Sequence, residues 1–110
     1  MATAAQFREI ALALPGTTEV PHFERRAFRV AKIFASLAPD EASANVRLDP
    51  EEQEIRCMIH TQALSPVPNK WGQQGWTIVH LGNIDRDLLS DILRSSWLWA
   101  CPADKPARRR

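Results

Sequence analysis

Apolar positions along this chain recur at one of two spacings, and the change between them marks the elements. Phe7, Ile10, Ala11 and Leu14 fall three and four residues apart, which predicts a helix over Thr3–Leu14 with one buried face. Thr3 and Gln6 stand at capping-box positions at its start. "LPGT" ends it, because Pro15 removes a donor and Gly16 suits a left-handed cap. From Glu19 to Leu48 the period falls to about two. "VPHF" reads as a short strand whose proline argues for a sheet edge. "AFRV" sets Phe28 and Val30 against Arg29, and "KIFASLA" continues as a third strand after a tight turn near Ala31–Lys32. "ANVRL" is the clearest alternation, with Ala44, Val46 and Leu48 pointing in and Asn45 and Arg47 pointing out.

The helical period returns at Asp49-Pro50-Glu51-Glu52, where Asp49 is the N-cap, Pro50 occupies N1 and Glu52 the capping-box position. Ile55, Met58 and Ile59 are the expected buried stripe of that helix, which should end between His60 and Ala63. A loop of about a dozen residues, "SPVPNKWGQQGW", leads into a last strand, "WTIVHL". A final helix is predicted from Asp85 to about Ala100, with Leu88, Leu89, Ile92, Leu93, Trp99 and Ala100 inward, Trp97 at the edge and Leu98 outward. The order α-β-β-β-β-α-β-α predicts an α+β fold of two layers: an antiparallel sheet of about five strands, three helices on one face, and the other face open to solvent or a partner.

Length and composition narrow the class. A chain of 110 residues accommodates one domain, here residues 1–102, followed by a basic tail, "ADKPARRR", expected to be disordered. With 45% hydrophobic residues it should bury roughly two-thirds of its extended surface without disulfide or metal staples. No apolar run is long enough to cross a membrane. The N-terminus lacks the basic and apolar regions of a secretory leader. Cys57 and Cys101 stand alone, without a CxxC, and read as reduced thiols. A cytoplasmic protein is expected, without cofactor, metal or membrane partner, as a monomer or weak homodimer.

The net charge of +1 is too small for a dedicated nucleic-acid binder judged by its total. Its distribution is uneven. Acidic residues gather in the second and last helices, whereas Arg25, Arg26, Arg29, Lys32 and Arg47 gather in and between strands. These cations have two open readings: contacts to phosphate or another anion, or a solvated face whose charges block strand-to-strand aggregation.

Candidate catalytic chemistry is sparse. No serine lies in a G-x-S-x-G elbow, the carboxylates read as caps and solvated faces, and Cys57 reads as a small packed hydrophobe. His22, His60 and His80 lack metal-ligand spacing, and His22 is read first as a histidine that hydrogen-bonds a loop. In the loop, Pro66 and Pro68 impose an extended start, and Gly72 and Gly75 allow a sharp bend. Trp71 and Trp76 are expected to pin it to the core. Lys70, Gln73 and Gln74 have no core task and are candidate contacts at its tip.

Taken together, "ALALPG", the His-Phe pair before the hairpin, "FRV" with "KIFA", "L-x-P-E-E-Q" and "KWGQQGWT" resemble the MmcQ/YjbR family of small bacterial proteins from about Phe7 to Trp99. The resemblance implies a CyaY-like fold and a non-enzymatic role in binding double-stranded DNA by a double-wing mode. Arg25, Arg29, Lys32, Arg47 and Lys70 would then contact phosphates, with Trp71 and Gln73 beside them. Two other classes remain open: a small-ligand or anion-binding protein with its pocket between residues 65–75 and the sheet, and an interaction module that pairs a sheet edge with a partner.

Overall fold

In the computed structural model, which describes residues 1–102, the helices begin where the sequence caps them. Helix α1 (Ala4–Ala13) opens on Thr3, whose hydroxyl accepts from the Gln6 amide while the Gln6 side chain accepts from the Thr3 amide. Helix α2 (Pro50–Ile59) opens on Asp49, whose carboxylate accepts from the Glu51 amide. Helix α4 (Arg86–Ala100) opens on Asp85, which accepts from the Leu88 amide. At α2 only the cap itself forms. Glu52 turns to the Arg56 guanidinium at 2.6 Å rather than back to the cap.

The strands are β1 (Thr18–His22), β2 (Arg25–Arg29), β3 (Ile33–Leu37), β4 (Ser43–Arg47), β5 (Leu64–Pro66) and β6 (Trp76–His80). They form one antiparallel sheet in the order β1-β2-β3-β4-β6-β5. Strand β1, with Pro21, is an edge, as its proline requires. The segment read as a loop holds two elements that the sequence reading lacked: the three-residue edge strand β5 and a one-turn helix α3 (Lys70–Gln73). The fold is thus an α+β domain of six strands and four helices instead of about five and three.

Register divides the residues between two faces. Phe28, Ala35, Val46 and Thr77 form one row across the sheet, and Leu37, Ala44, Val79 and Leu64 another; all are buried on the side covered by α1 and α4. The pairing of β2 with β3 slips between Phe28 and Arg29, so Phe34 is an extra residue on β3. Phe34 and Ala35 are therefore both fully buried, and Ile33 is displaced from the helix-covered side to the opposite one. Phe7 of α1 meets Phe28 edge to face at 5.6 Å, and Leu89, Ile92 and Leu93 of α4 complete the core. Leu98 is exposed, as its phase predicts.

Helix α2 departs from expectation. Ile55, Met58 and Ile59, the expected buried stripe, are 57%, 69% and 64% exposed. The inward positions are Gln53, which is buried, and Cys57, which packs against the core one turn later. The helix lies beside the short edge strand β5, not across the sheet. A narrow stripe suffices there, and Arg56 ties the helix to α4 through Asp91 at 2.9 Å. The basic tail, residues 103–110, lies outside the described residues. Among the described residues no helix is long and apolar enough to cross a membrane.

Candidate functional site

The sheet face turned away from α1 and α4 carries the row Val20, Ala27, Ser36, Asn45, Ile78 and Ser65, which runs across all six strands. Arg25 and Arg29 share its phase on β2, Arg47 does so on β4, and Trp76 does so on β6. Among the described residues α3 is the helix that overhangs this side: its Trp71 lines a cavity together with Ser36 and Asn45 of the sheet.

What suspends α3 there is backbone packing and one side chain. The Val67 amide donates to the Trp76 carbonyl at 3.0 Å, continuing the β5–β6 pairing, and the Leu48 amide donates to the Gly75 carbonyl at 3.0 Å. A Cβ on Gly72 would lie 1.9 Å from the Val67 carbonyl oxygen, and one on Gly75 would lie 1.8 Å from that of Leu48. Gly75 also has φ 118°. Glycine is therefore required at both positions by close backbone approach, and at Gly75 by backbone angle as well. From below, the Gln53 amide donates to the carbonyls of Gly72 and Trp76. The tryptophans do not pin the segment as expected. Trp71 is 55% exposed, and Trp76 is only partly buried, on the free face.

The expected cations fall into three groups. Arg25 is held on the sheet: its Nε donates to the Ser36 hydroxyl at 2.8 Å and a terminal nitrogen donates to the Ser36 carbonyl at 3.3 Å. Burial pushes its pKa down and Asp40 partly offsets this; a guanidinium so shifted remains charged at neutral pH. Lys32 and Arg47 converge on Trp99 of α4, with Nζ and Cζ lying 4.1 and 4.2 Å from the ring centroid. Burial lowers the Arg47 pKa too, against the pull of Asp49. Arg29, which donates to the Ala31 carbonyl, is exposed, as are Lys70 and Gln73 on α3; neither of these last two reaches the cavity.

Ion pairing separates these residues from the others. Arg8 and Arg26 share Glu19, Arg56 holds Glu52 and Asp91, and Arg86 faces Glu9. Among the described residues Arg25, Arg29, Lys32, Arg47 and Lys70 form no ion pair, and Arg94 of α4 is the other such arginine. Arg26, next to Arg25 in the chain, points to the helix-covered side and is spent on Glu19.

Between α3 and the β1–β2 hairpin the free face holds a cavity of about 410 Å³. Its floor is Arg25, Ile33, Ser36 and Asn45 from the central strands; Trp76 and His22 stand at its sides, and Val67, Asn69 and Trp71 form its overhang. Of the residues singled out from sequence, Arg25 and Trp71 meet here. Asn45 and Asn69 were missed, since a polar residue on a strand's outward phase or at a helix cap carries no signal of its own. Gln53 was missed because it lies off the apolar stripe of Ile55, Met58 and Ile59 that periodicity picks out. Among the described residues there is no cluster of three potential metal ligands. Burial raises the Cys57 pKa, which disfavours its thiolate.

An open antiparallel sheet with helices on one side, and a glycine-bracketed helical turn overhanging the other, defines a small two-layer α+β domain. The YjbR family model matches residues 12–99, and the chain belongs to that family. The crystal structure of the Deinococcus radiodurans protein DR2400, which carries the domain DUF419, is similar over 99% of this chain and 86% of that one, with a TM-score of 0.78 and 27% identity. No curated protein matches the sequence.

Proposed function

We propose that this YjbR-family protein is a non-enzymatic DNA-binding protein that meets the phosphate backbone with its free sheet face and the adjoining hairpin ends. The observation that carries this reading is the sorting of charge. The cations on the helix side are largely paired with carboxylates, whereas Arg25, Arg29, Lys32, Arg47 and Lys70 are not. A near-neutral chain that leaves these five unpaired provides sites for anions without a high net charge. Phosphate contacts position a protein without reading bases, so no sequence preference is implied.

The cavity favours a second reading, a small-ligand or anion-binding protein, because it offers Arg25 beside exposed aromatic surface.

The test is a titration of labelled duplex DNA across salt, with the residues 103–110 deleted in a control so that the basic tail does not supply the binding. Three to five phosphate contacts give a slope of log K against log salt of roughly −2.7 to −4.5. Absence of binding at low salt, or an affinity unchanged by Arg29→Ala together with Arg47→Ala, overturns the DNA reading.

A further inference from the structure

We infer that the cavity on the free sheet face takes one unpaired nucleotide, its base stacked on Trp71 and its phosphate on Arg25. For the nucleotide of a strand this rests on the DNA-binding reading above, and it deepens that reading by naming what the site selects.

Three features of the cavity converge on that chemistry. The first is aromatic surface. Trp71 and Trp76 both line it, and Trp71 is 55% exposed although its segment is otherwise tightly held. An exposed indole on a rigid one-turn helix offers a planar heteroaromatic a face at little entropic cost, and such stacking is worth about 1–3 kcal/mol per base.

The second is unspent hydrogen bonding. Asn69 uses its Oδ1 as the cap of α3, accepting from the Trp71 amide at 2.9 Å, which leaves its NH2 free. Among the hydrogen bonds of the described residues none uses the Asn45 side chain, which stands on the floor. A carboxamide presents a donor and an acceptor side by side, the pattern that fits the edge of a base.

The third is a fixed cation. Ser36 takes the Nε and one terminal nitrogen of Arg25, which orients the guanidinium and leaves the other terminal nitrogen uncommitted. Partial burial strengthens its attraction to an anion relative to water, and no carboxylate pairs with it among the described residues.

Size then decides between paired and unpaired substrates. A cavity of about 410 Å³ lies at the small-molecule end of the usual range. A base stacked and paired within a duplex cannot enter it, whereas a single-stranded base swings in without breaking a pair. The same chemistry is offered by a free mononucleotide.

The test uses the full chain with three probes: a labelled oligo-dT single strand, a labelled duplex of equal length, and free dTMP followed by tryptophan quenching. Variants are Trp71→Ala and Asn45→Ala in the cavity and Arg29→Ala outside it, with thermal melting to show that each folds. Expected is tighter binding of the single strand than of the duplex, weakened roughly 5- to 150-fold by Trp71→Ala, the equivalent of the stacking term. Duplex affinity should respond to Arg29→Ala but not to the cavity variants. If dTMP alone binds with the same Trp71 dependence, the free nucleotide is the source; if only the oligonucleotide binds, the source is a strand. If Trp71→Ala and Asn45→Ala leave single-strand and dTMP binding unchanged while Arg29→Ala weakens DNA binding, the cavity inference falls and the DNA reading stands. If no probe binds at low salt, both fall.

Discussion

The side-chain amide of Gln53 donates to the carbonyl of Gly72 at 3.0 Å, joining the buried side of α2 to the turn that carries Trp71. The same amide reaches the Trp76 carbonyl at 2.9 Å. One side chain thus adds a donor to two backbone acceptors, where the chain enters α3 from β5 and where it re-enters the sheet at β6, beside the Gly75 and Val67 amides that also reach them. The cavity's overhang depends on it.

Replacing Gln53 with alanine removes two buried hydrogen bonds and leaves the Trp76 carbonyl to the Val67 amide and the Gly72 carbonyl to the Gly75 amide. The expected cost is about 2 kcal/mol, or roughly 10 °C in melting temperature for a domain of this size. Gln53→Glu should be worse at neutral pH, because a carboxylate would face two carbonyl oxygens and offer no proton. Its folded-state pKa would be raised, so the deficit should shrink as pH falls. Melting curves of the two variants from pH 5 to 8 check both statements.

Gly75→Ala tests close backbone approach directly. The added methyl would meet the Leu48 carbonyl oxygen at 1.8 Å on a backbone with φ 118°. A loss of roughly 3 kcal/mol is expected from overlap and strain together. Gly82→Ala is the matched control, since nothing lies within 4 Å of its Cβ position; by denaturant unfolding it should change stability by no more than about 0.5 kcal/mol.

On α2 the apolar pattern misleads. Ile55, Met58 and Ile59 form the face that hydrophobic periodicity buries, yet they are exposed while Gln53 is 8% exposed. Changing all three to glutamine should therefore cost under about 1 kcal/mol, far below the 2–5 kcal/mol of each core truncation; chemical denaturation measures it. Elsewhere the pattern was legible because long strands and α4 bury a full face: Ala44, Val46 and Leu48 point in and Asn45 and Arg47 point out as their alternation requires. Periodicity fails where a helix sits at a sheet edge and seals it with few contacts. The site was legible in part for a related reason. A cation on a strand's outward phase, such as Arg29 or Arg47, can be picked out by alternation. The cavity on that face depends on contacts 19 or more residues apart, such as Gln53 to Gly72, which local pattern does not encode.

Glu19 supplies a pH-dependent contribution on the helix side. Burial alone would raise its pKa, but hydrogen bonds and charge from Arg26 and Arg8, at 2.8 and 2.9 Å, outweigh that and hold it below the ordinary value. A carboxyl shifted this way stabilises the fold fully above its unfolded value, about 4.3, and loses that contribution as pH falls through the lowered folded value. Glu19→Gln should therefore be less stable than the parent at pH 7, with the gap closing as pH falls from about 5 to about 3. A gap constant over that range would show that the pairing contributes no linkage.

Phe23, at the tip of the β1–β2 hairpin, is 94% exposed and has φ 59°, a backbone region that favours glycine or asparagine. Its ring gains little from folding beyond an edge contact with His22 at 4.8 Å. A side chain held at that angle costs roughly 1–2 kcal/mol, so Phe23→Asn, which tolerates it, should melt no lower than the parent and up to about 1 kcal/mol more stably. The same hairpin end carries His22 and Arg25 into the cavity lining. If the free face binds nucleic acid as proposed, a strained, exposed aromatic at this tip is placed to contact it. Single-strand affinity should fall in Phe23→Asn even as stability holds. If affinity and stability both stay unchanged, the ring lies outside the interface and the hairpin tip contributes only through Arg25.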